Sequence, residues 1–97
     1  MEEHFIKPSS KGFTIYSKTA CKFCIKLKEY FNENKIKYKE IMCDEYTQQF
    51  FSFINKCANR EYKTFPMVFY DAIFIGGYKE SLDYSEKLKI FEENAEF

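Results

Sequence analysis

The chain has 97 residues, enough for one modest hydrophobic core and too few for two, so a single domain over 1–97 is expected and any function must fit on that scaffold. Fifteen Lys and Arg residues balance 15 Asp and Glu residues to a formal net charge of +0, which excludes an overall field drawing the chain to nucleic acid or an anionic membrane; neither is expected as a partner. Aromatic residues reach 21%, with 12 Phe, 8 Tyr and no Trp, so flat rings more than Leu and Val must fill the interior.

Residues 1–11 read as a polar lead-in, with early acids, no apolar segment of the signal-peptide kind, and His4 as a solvated side chain rather than a ligand or base. No apolar run approaches the roughly 18 residues that a membrane helix requires. The expected setting is therefore a soluble, reducing compartment, the cytoplasm, where Cys21, Cys24, Cys43 and Cys57 are free or catalytic thiols rather than two structural disulfides. Pro8-Ser9-Ser10-Lys11-Gly12 is a turn-rich cluster, and order is expected to begin near Phe13.

Phe13-Thr14-Ile15-Tyr16 is strand-like and gives way, at Cys21-Lys22-Phe23-Cys24, to a helix-like run. Phe23, Leu27, Tyr30 and Phe31 fall on one helical face with Lys26, Lys28, Glu29 and Glu33 between them, and the helix closes near Asn34. Ile36 to Met42 alternates apolar and charged residues through Ile41, the pattern of a half-buried strand. Phe50, Phe51, Ile54 and Cys57 repeat at helical spacing and predict a second helix over about 46–58, followed by a polar stretch. Pro66 opens Met67-Val68-Phe69-Tyr70, and Asp71-Ala72 joins it to Ile73-Phe74-Ile75, a connection so short that the two strands must be antiparallel. Gly76-Gly77 ends the pattern, and Leu82, Leu88 and Phe91 mark a last helix with a bend or restart expected near Ser85. The order is β-α-β-α-β-β-α. A right-handed crossover makes the first two strands parallel and the hairpin completes a four-stranded mixed sheet flanked by helices, an α/β fold of thioredoxin-like architecture.

The C-x-x-C has chemical meaning because of its place. The first N–H groups of a helix lack intrahelical partners and carry positive partial charge, so a thiol set there is drawn toward thiolate, the form that attacks disulfides. A structural disulfide or a buried pair is the plainer reading of Cys21 and Cys24, and the strand, helix and proline around them favour redox chemistry. Cys57 falls on the apolar stripe with Phe50 and Ile54, so it and Cys43 read as packing residues. Their spacing offers no paired-ligand knuckle, and no metal site is assigned.

Three stretches together, Tyr16-Ser17-Lys18-Thr19-Ala20-Cys21-Lys22-Phe23-Cys24, Lys63-Thr64-Phe65-Pro66-Met67-Val68-Phe69 and Ile75-Gly76-Gly77-Tyr78, resemble the glutaredoxin family over roughly residues 13 to 92. Thioredoxins share the C-x-x-C and the proline but usually have Trp-Cys-Gly-Pro-Cys, and Trp is absent here. The resemblance implies that Cys21 is the nucleophile and Cys24 the resolving thiol. It implies a glutathione site in which Lys18 contacts the glycine carboxylate, Lys22 and Phe23 of the motif face the ligand, Thr64-Phe65-Pro66 offers backbone beside a cis proline, Gly76-Gly77 lets the peptide approach, and Tyr78 and Lys79 meet the γ-glutamyl end. Such exposed backbone pairs with an extended tripeptide as an added strand would.

The chain also departs from that family. The usual Cys-Pro-Tyr-Cys is Cys-Lys-Phe-Cys, so Phe23 brings no hydroxyl and Lys22 puts a cation at a helix N-terminus, at a cost of about 0.3 to 1 kcal/mol to the helix. The same cation suits a neighbouring thiolate, and Lys22 is expected to favour the Cys21 thiolate. Lys79 stands where the family often has Asp or Ser to receive the glutathione amine, with Glu80 one residue on as a substitute; Gln48 or Gln49 is the match for a second carboxylate contact. The reading that results is a glutathione-dependent thiol-disulfide oxidoreductase, a monomer that reduces protein disulfides or protein-glutathione mixed disulfides. Two alternatives stay open: a redoxin reduced by thioredoxin reductase, and a non-catalytic iron-sulfur or protein-interaction module. A 2Fe-2S cluster shared by two subunits with glutathione as co-ligand is the cofactor that the second would carry.

Overall fold

The computed structural model describes residues 6–43 and 48–94, with side chains through Leu88. His4, the first two residues of the helix expected over 46–58, and the Phe91 side chain lie outside the described residues. The elements run β1 (Phe13–Ser17), α1 (Lys22–Glu33), β2 (Tyr38–Met42), α2 (Gln48–Ala58), β3 (Met67–Tyr70), β4 (Ile73–Gly76) and α3 (Tyr78–Asn94). The sheet order is β2-β1-β3-β4, with β1 parallel to β2, antiparallel to β3, and β3 antiparallel to β4. This is the expected β-α-β-α-β-β-α thioredoxin-like arrangement. Among the described residues no helix is long and apolar enough to cross a membrane.

Burial follows from position in the sheet. β1 is central, and all five of its residues are buried. On one face Phe13, Ile15 and Val68 pack with Leu27 and Phe31 of α1, and with Tyr78, Leu82 and Leu88 of α3. On the other, Tyr16, Ile41, Met67 and Phe69 pack with Phe50 and Ile54 of α2. Rings build both layers, with Phe13 against Phe31 and Tyr70 at 4.8 and 4.7 Å between centroids and Tyr16 against Phe69 at 5.6 Å. The spacings are those of favourable tilted and edge contacts.

Three sequence expectations are corrected, and β4 adds a feature that none of them covered. Order begins before Phe13, because Tyr16 Oη donates to Ile6 O at 2.6 Å and Ser9 N donates to Thr14 Oγ1 at 2.9 Å, holding the lead-in against β1. β2 begins at Tyr38 rather than Ile36, because the end of α1 takes up the preceding residues: Lys35 has φ 56°, Lys35 N donates to Asn32 O and Ile36 N to Phe31 O, the pair of bonds of a Schellman motif. α3 runs unbroken through Ser85, whose hydroxyl lies 2.9 Å from Leu82 O and 3.1 Å from Tyr30 Oη; it is turned inward against α1 and leaves the helix intact. β4 carries a bulge, since Phe69 faces Phe74 while Val68 faces Gly76, so Ile75 is the extra residue and the strand end is re-aimed at the Gly-Gly pair.

The β3–β4 turn is tight because Asp71 and Ala72 both take positive φ, 51° and 67°. Asp71 also grips the start of β1: Gly12 N donates to Asp71 Oδ1 at 2.7 Å and Asp71 N donates to Gly12 O at 3.0 Å.

Candidate active site

The loop after β1 reaches α1 through Ala20, at φ 60°, and Cys21, which is extended at φ −97° and caps the helix. Cys21 Sγ accepts from Cys24 N at 3.3 Å, so sulfur stands where a Ser or Asp oxygen would usually satisfy a free N–H of the first turn. The two thiols are joined as a disulfide, their Cα atoms 5.2 Å apart, and both residues are buried. The expected redox pair therefore exists as a dithiol/disulfide unit on the positive end of α1.

A groove of about 600 Å³ lies beside it, lined by Lys18, Phe23, Tyr62, Lys63, Thr64, Phe65, Gly77, Tyr78, Lys79 and Glu80. Eight residues singled out from sequence thus meet on one surface: Lys18, Phe23, Thr64, Phe65, Gly77, Tyr78, Lys79 and Glu80. Cys21 and Cys24 are not on its wall but sit in the helix turn that presents Phe23. Lys22 is exposed on that turn and Pro66 is buried behind the groove, joined to Phe65 by a cis peptide bond. Gln48 and Gln49 are exposed on α2 and are not among the lining residues.

Each wall has a local cause. Phe65 is anchored by α2, stacked with Phe50 at 6.2 Å and meeting Phe51 at 6.4 Å, and Lys18 Nζ lies 5.6 Å from its ring centre. Phe23 and Tyr78 approach to 5.4 Å, so the first turns of α1 and α3 touch at the groove. Gly77 caps α3: its N–H donates to Glu80 Oε1 at 2.9 Å, and its carbonyl accepts from Ser81 N at 3.0 Å and Ser81 Oγ at 2.6 Å. The Glu80 bond is half of a capping box.

The glycines are there for space. A Cβ on Gly77 would collide with Tyr62 Oη and would lie 3.6 Å from Pro66 O; one on Gly76, at φ 136°, would come within 2.8 Å of Glu80 Cβ. Tyr62 is the lining residue that sequence reasoning missed. It lay inside a polar stretch with no periodicity, and only the fold brings it to Gly77, with Arg60 stacked 5.8 Å from its ring centre.

Behind the site, Glu40 on the edge strand β2 points inward. Its Oε2 accepts from Ser17 Oγ at 2.6 Å and from Lys28 Nζ at 2.7 Å, which ties α1 to the ends of β1 and β2. Burial alone would raise this carboxyl, but the hydrogen bonds from Lys28 and Ser17 and the Lys28 charge outweigh it and hold the group below its ordinary value.

The other cysteines have a different character. Cys43 is buried in the α2-side core with its Sγ 3.6 Å from Ile41 O, and Cys57 packs against the same cluster. Burial pushes the Cys57 thiol up, against a smaller opposing pull from Lys7, which is the environment of a packing thiol rather than a nucleophile. Among the described residues no three His, Cys, Asp or Glu side chains converge as metal ligands. A cluster shared between two subunits would not need such a group within one chain.

Comparison with known proteins agrees with this geometry. The family profile described as Glutaredoxin matches residues 13–75. The chain is similar to mitochondrial glutaredoxin-2 of Bos taurus, 34% identical over 71 residues that cover 71% of this chain and 44% of the relative. It is similar also to glutaredoxin 1 of Rickettsia felis, 38% identical over 64 residues, 65% of this chain and 61% of the relative. In each case the match spans less than two thirds of the relative's length. Among solved structures, glutaredoxin 1 of Francisella tularensis in complex with cacodylate superimposes with a TM-score of 0.70 at 30% identity, covering 78% of this chain and 93% of that one. A buckwheat glutaredoxin-glutathione complex shares the fold, with a TM-score of 0.68 at 22% identity over 87% of this chain and 76% of that one. With its Cys21-Cys24 pair at the start of α1 and a family profile matched from β1 into β4, this chain belongs to the glutaredoxin family.

Proposed function

We propose that this protein is a glutathione-dependent thiol-disulfide oxidoreductase that reduces protein-glutathione mixed disulfides and protein disulfides. One observation carries the reading: Cys21 caps α1, accepts the Cys24 N–H, and shares a disulfide with Cys24 beside a groove whose residues suit a small anionic peptide.

In the reduced protein the Cys21 thiolate attacks the glutathione sulfur of a mixed disulfide. The client sulfur leaves as a thiolate and takes a proton, and Cys21 is left bonded to glutathione. A second glutathione thiolate then attacks that glutathione sulfur, releasing oxidised glutathione and the Cys21 thiolate. With a protein disulfide, Cys21 forms a mixed disulfide with the client and Cys24 displaces it, leaving the Cys21–Cys24 disulfide; two glutathione molecules return it to the dithiol. In both routes glutathione supplies the two electrons.

The helix terminus and the Lys22 cation favour the attacking thiolate. Lys18 serves the glycine carboxylate of glutathione, and the backbone at Thr64, Phe65 and Pro66 pairs with its cysteinyl unit. Gly77 and Tyr78 leave room for the γ-glutamyl end, and Lys79 serves its carboxylate. Glu80 receives its amine, the charge that Lys79 would otherwise repel. The buckwheat neighbour, a complex with glutathione, supports the ligand class at the level of the shared fold.

Turnover coupled to glutathione reductase, with wild type beside Cys21→Ser and Cys24→Ser, tests the reading. Cys21→Ser is expected to abolish activity, and Cys24→Ser to spare reduction of glutathione mixed disulfides. Equal activity in all three sinks it, and turnover with thioredoxin reductase alone moves the electron source away from glutathione.

A further inference from the structure

The formal charge of the chain is +0, but cations outnumber carboxylates along the groove. Lys18, Lys63 and Lys79 line it, against a single lining carboxylate, Glu80, which is already engaged with the Gly77 N–H. Around the mouth, Lys26 Nζ lies 5.6 Å from the Phe23 ring centre and Arg60 lies over Tyr62, while Lys22 is exposed on the turn that holds Cys21. Lys22, Lys26, Arg60, Lys63 and Lys79 form no ion pair among the described residues; the pair Lys28–Glu40 lies behind the site. Phe23 and Ile25, each 50% exposed, add apolar surface at the same helix end.

Glutathione does not account for this distribution. It carries two carboxylates and one amine, and Lys18 and Lys79 with Glu80 already match that set. Lys26 and Arg60 do not line the groove, and Lys22 points to solvent beside the nucleophile. These cations face whatever lies on the mouth when glutathione fills the groove, which is the polypeptide carrying the target cysteine.

We propose that the lysine-rich mouth is a docking surface for acidic client segments: stretches with Asp or Glu flanking the reacting cysteine and an apolar residue to set on Phe23. The inference rests on the reading of Cys21 as the nucleophile. Opposite charge across the mouth raises the rate of productive encounter and fixes the orientation of the client, and it weakens with ionic strength because the cations are exposed. A client with basic flanks meets repulsion at every approach to Cys21.

The test uses two glutathionylated peptides of one length, the cysteine flanked by Glu in one and by Lys in the other, with the mixed disulfide of glutathione and mercaptoethanol as a small control. The Glu peptide is expected to have a kcat/KM about tenfold higher at low salt, within the range that steering supplies. That preference should fall below about twofold at high salt. Lys26→Glu should cut the preference several-fold and leave the small disulfide unchanged. Docking is also read without turnover, from the anisotropy of labelled peptides with Ser in place of the cysteine, titrated with the oxidised protein. Equal kcat/KM for the two peptides while the small disulfide turns over overturns the docking surface and spares the catalytic reading. No turnover of the small disulfide overturns the catalytic reading, and the anisotropy arm still decides docking. Tighter binding of an oligothymidylate than of the Glu peptide at equal charge overturns the assignment to a peptide.

Discussion

Glu80 performs two tasks with one side chain. Its Oε1 accepts the Gly77 N–H that opens α3, and its charge stands in the groove next to Lys79. Removing the charge while keeping the carbonyl oxygen separates them. Glu80→Gln retains an oxygen for the cap, so its stability should fall by no more than the favourable interaction of a carboxylate with a helix N-terminus, about 0.3 to 1 kcal/mol. On the proposed glutathione reading its KM for glutathione should rise about tenfold, the equivalent of about 1.4 kcal/mol, because a charge-assisted bond to the ligand amine would become a neutral one. kcat is expected to change little, since Cys21 and Cys24 are untouched. Steady-state kinetics with varied glutathione and a thermal melt check both parts. An unchanged KM means that the amine is received elsewhere. Gly77 shows the same economy of space from the other side, because a β-carbon there would strike Tyr62 Oη, a contact that no local pattern around residue 62 foretold.

α1 and α2 end without the residue that usually ends a helix. α1 closes with Lys35 at φ 56° and α2 with Asn59 at φ 59°, each followed by the bond pair of a Schellman motif, Ile36 N to Phe31 O and Arg60 N to Asn55 O. Glycine is the common choice at this position because a β-carbon in left-handed backbone costs roughly 1 to 2 kcal/mol, a cost that Asn bears more easily than Lys. Lys35→Gly should therefore stabilise the protein by about 0.5 to 1 kcal/mol once the extra freedom of glycine in the unfolded chain is deducted. Asn59→Gly should gain less. Denaturant midpoints at a constant m-value give the comparison, and a destabilised Lys35→Gly variant would show that the lysine side chain contributes more than its backbone costs. The same absence of glycine explains what the sequence made legible. Elements announced by periodicity, such as α1 and the Met67 to Tyr70 run, lie where expected, and so does the hairpin forced by Asp71-Ala72. Phe23, expected on the apolar stripe of α1, is instead exposed at the groove, and Cys24 takes the buried place beside Leu27 and Phe31. The boundary between α1 and β2 was not legible, because a lysine carries no turn signal. Ser85 resembled a break because its hydroxyl competes for backbone in isolation, and only the approach of Tyr30 from α1 gives it an inward partner.

Taken as a whole, the molecule places its chemistry where the chain leaves or enters the sheet. The C-terminal end of β1 leads to Cys21, the cis Phe65–Pro66 bond precedes β3, and the bulged end of β4 leads to Gly77. Motif order along the chain told which segments would matter; the groove itself needed the sheet to bring residues 18, 62, 65 and 77 together. Behind this assembly Glu40 ties α1 to β1 and β2 through Ser17 and Lys28. Its inward charge on an edge strand also guards against strand addition. Its carboxyl is held low in the folded protein, so between the folded value and the ordinary unfolded value near about 4.3 the unfolded chain binds more protons. The contribution is complete above that unfolded value and is lost as pH falls through the folded one. Glu40 is 27% exposed, so its bonds to Lys28 and Ser17 lie between those of a surface pair and those of a buried charged group, about 1 to 2 kcal/mol together. Glu40→Gln should cost that amount at pH 7, and the gap between variant and wild type should close as the pH is taken below about 4. Denaturation curves collected across that range decide it: two stability profiles that stay parallel down to acid pH would mean that Glu40 is held by packing and not by its charge.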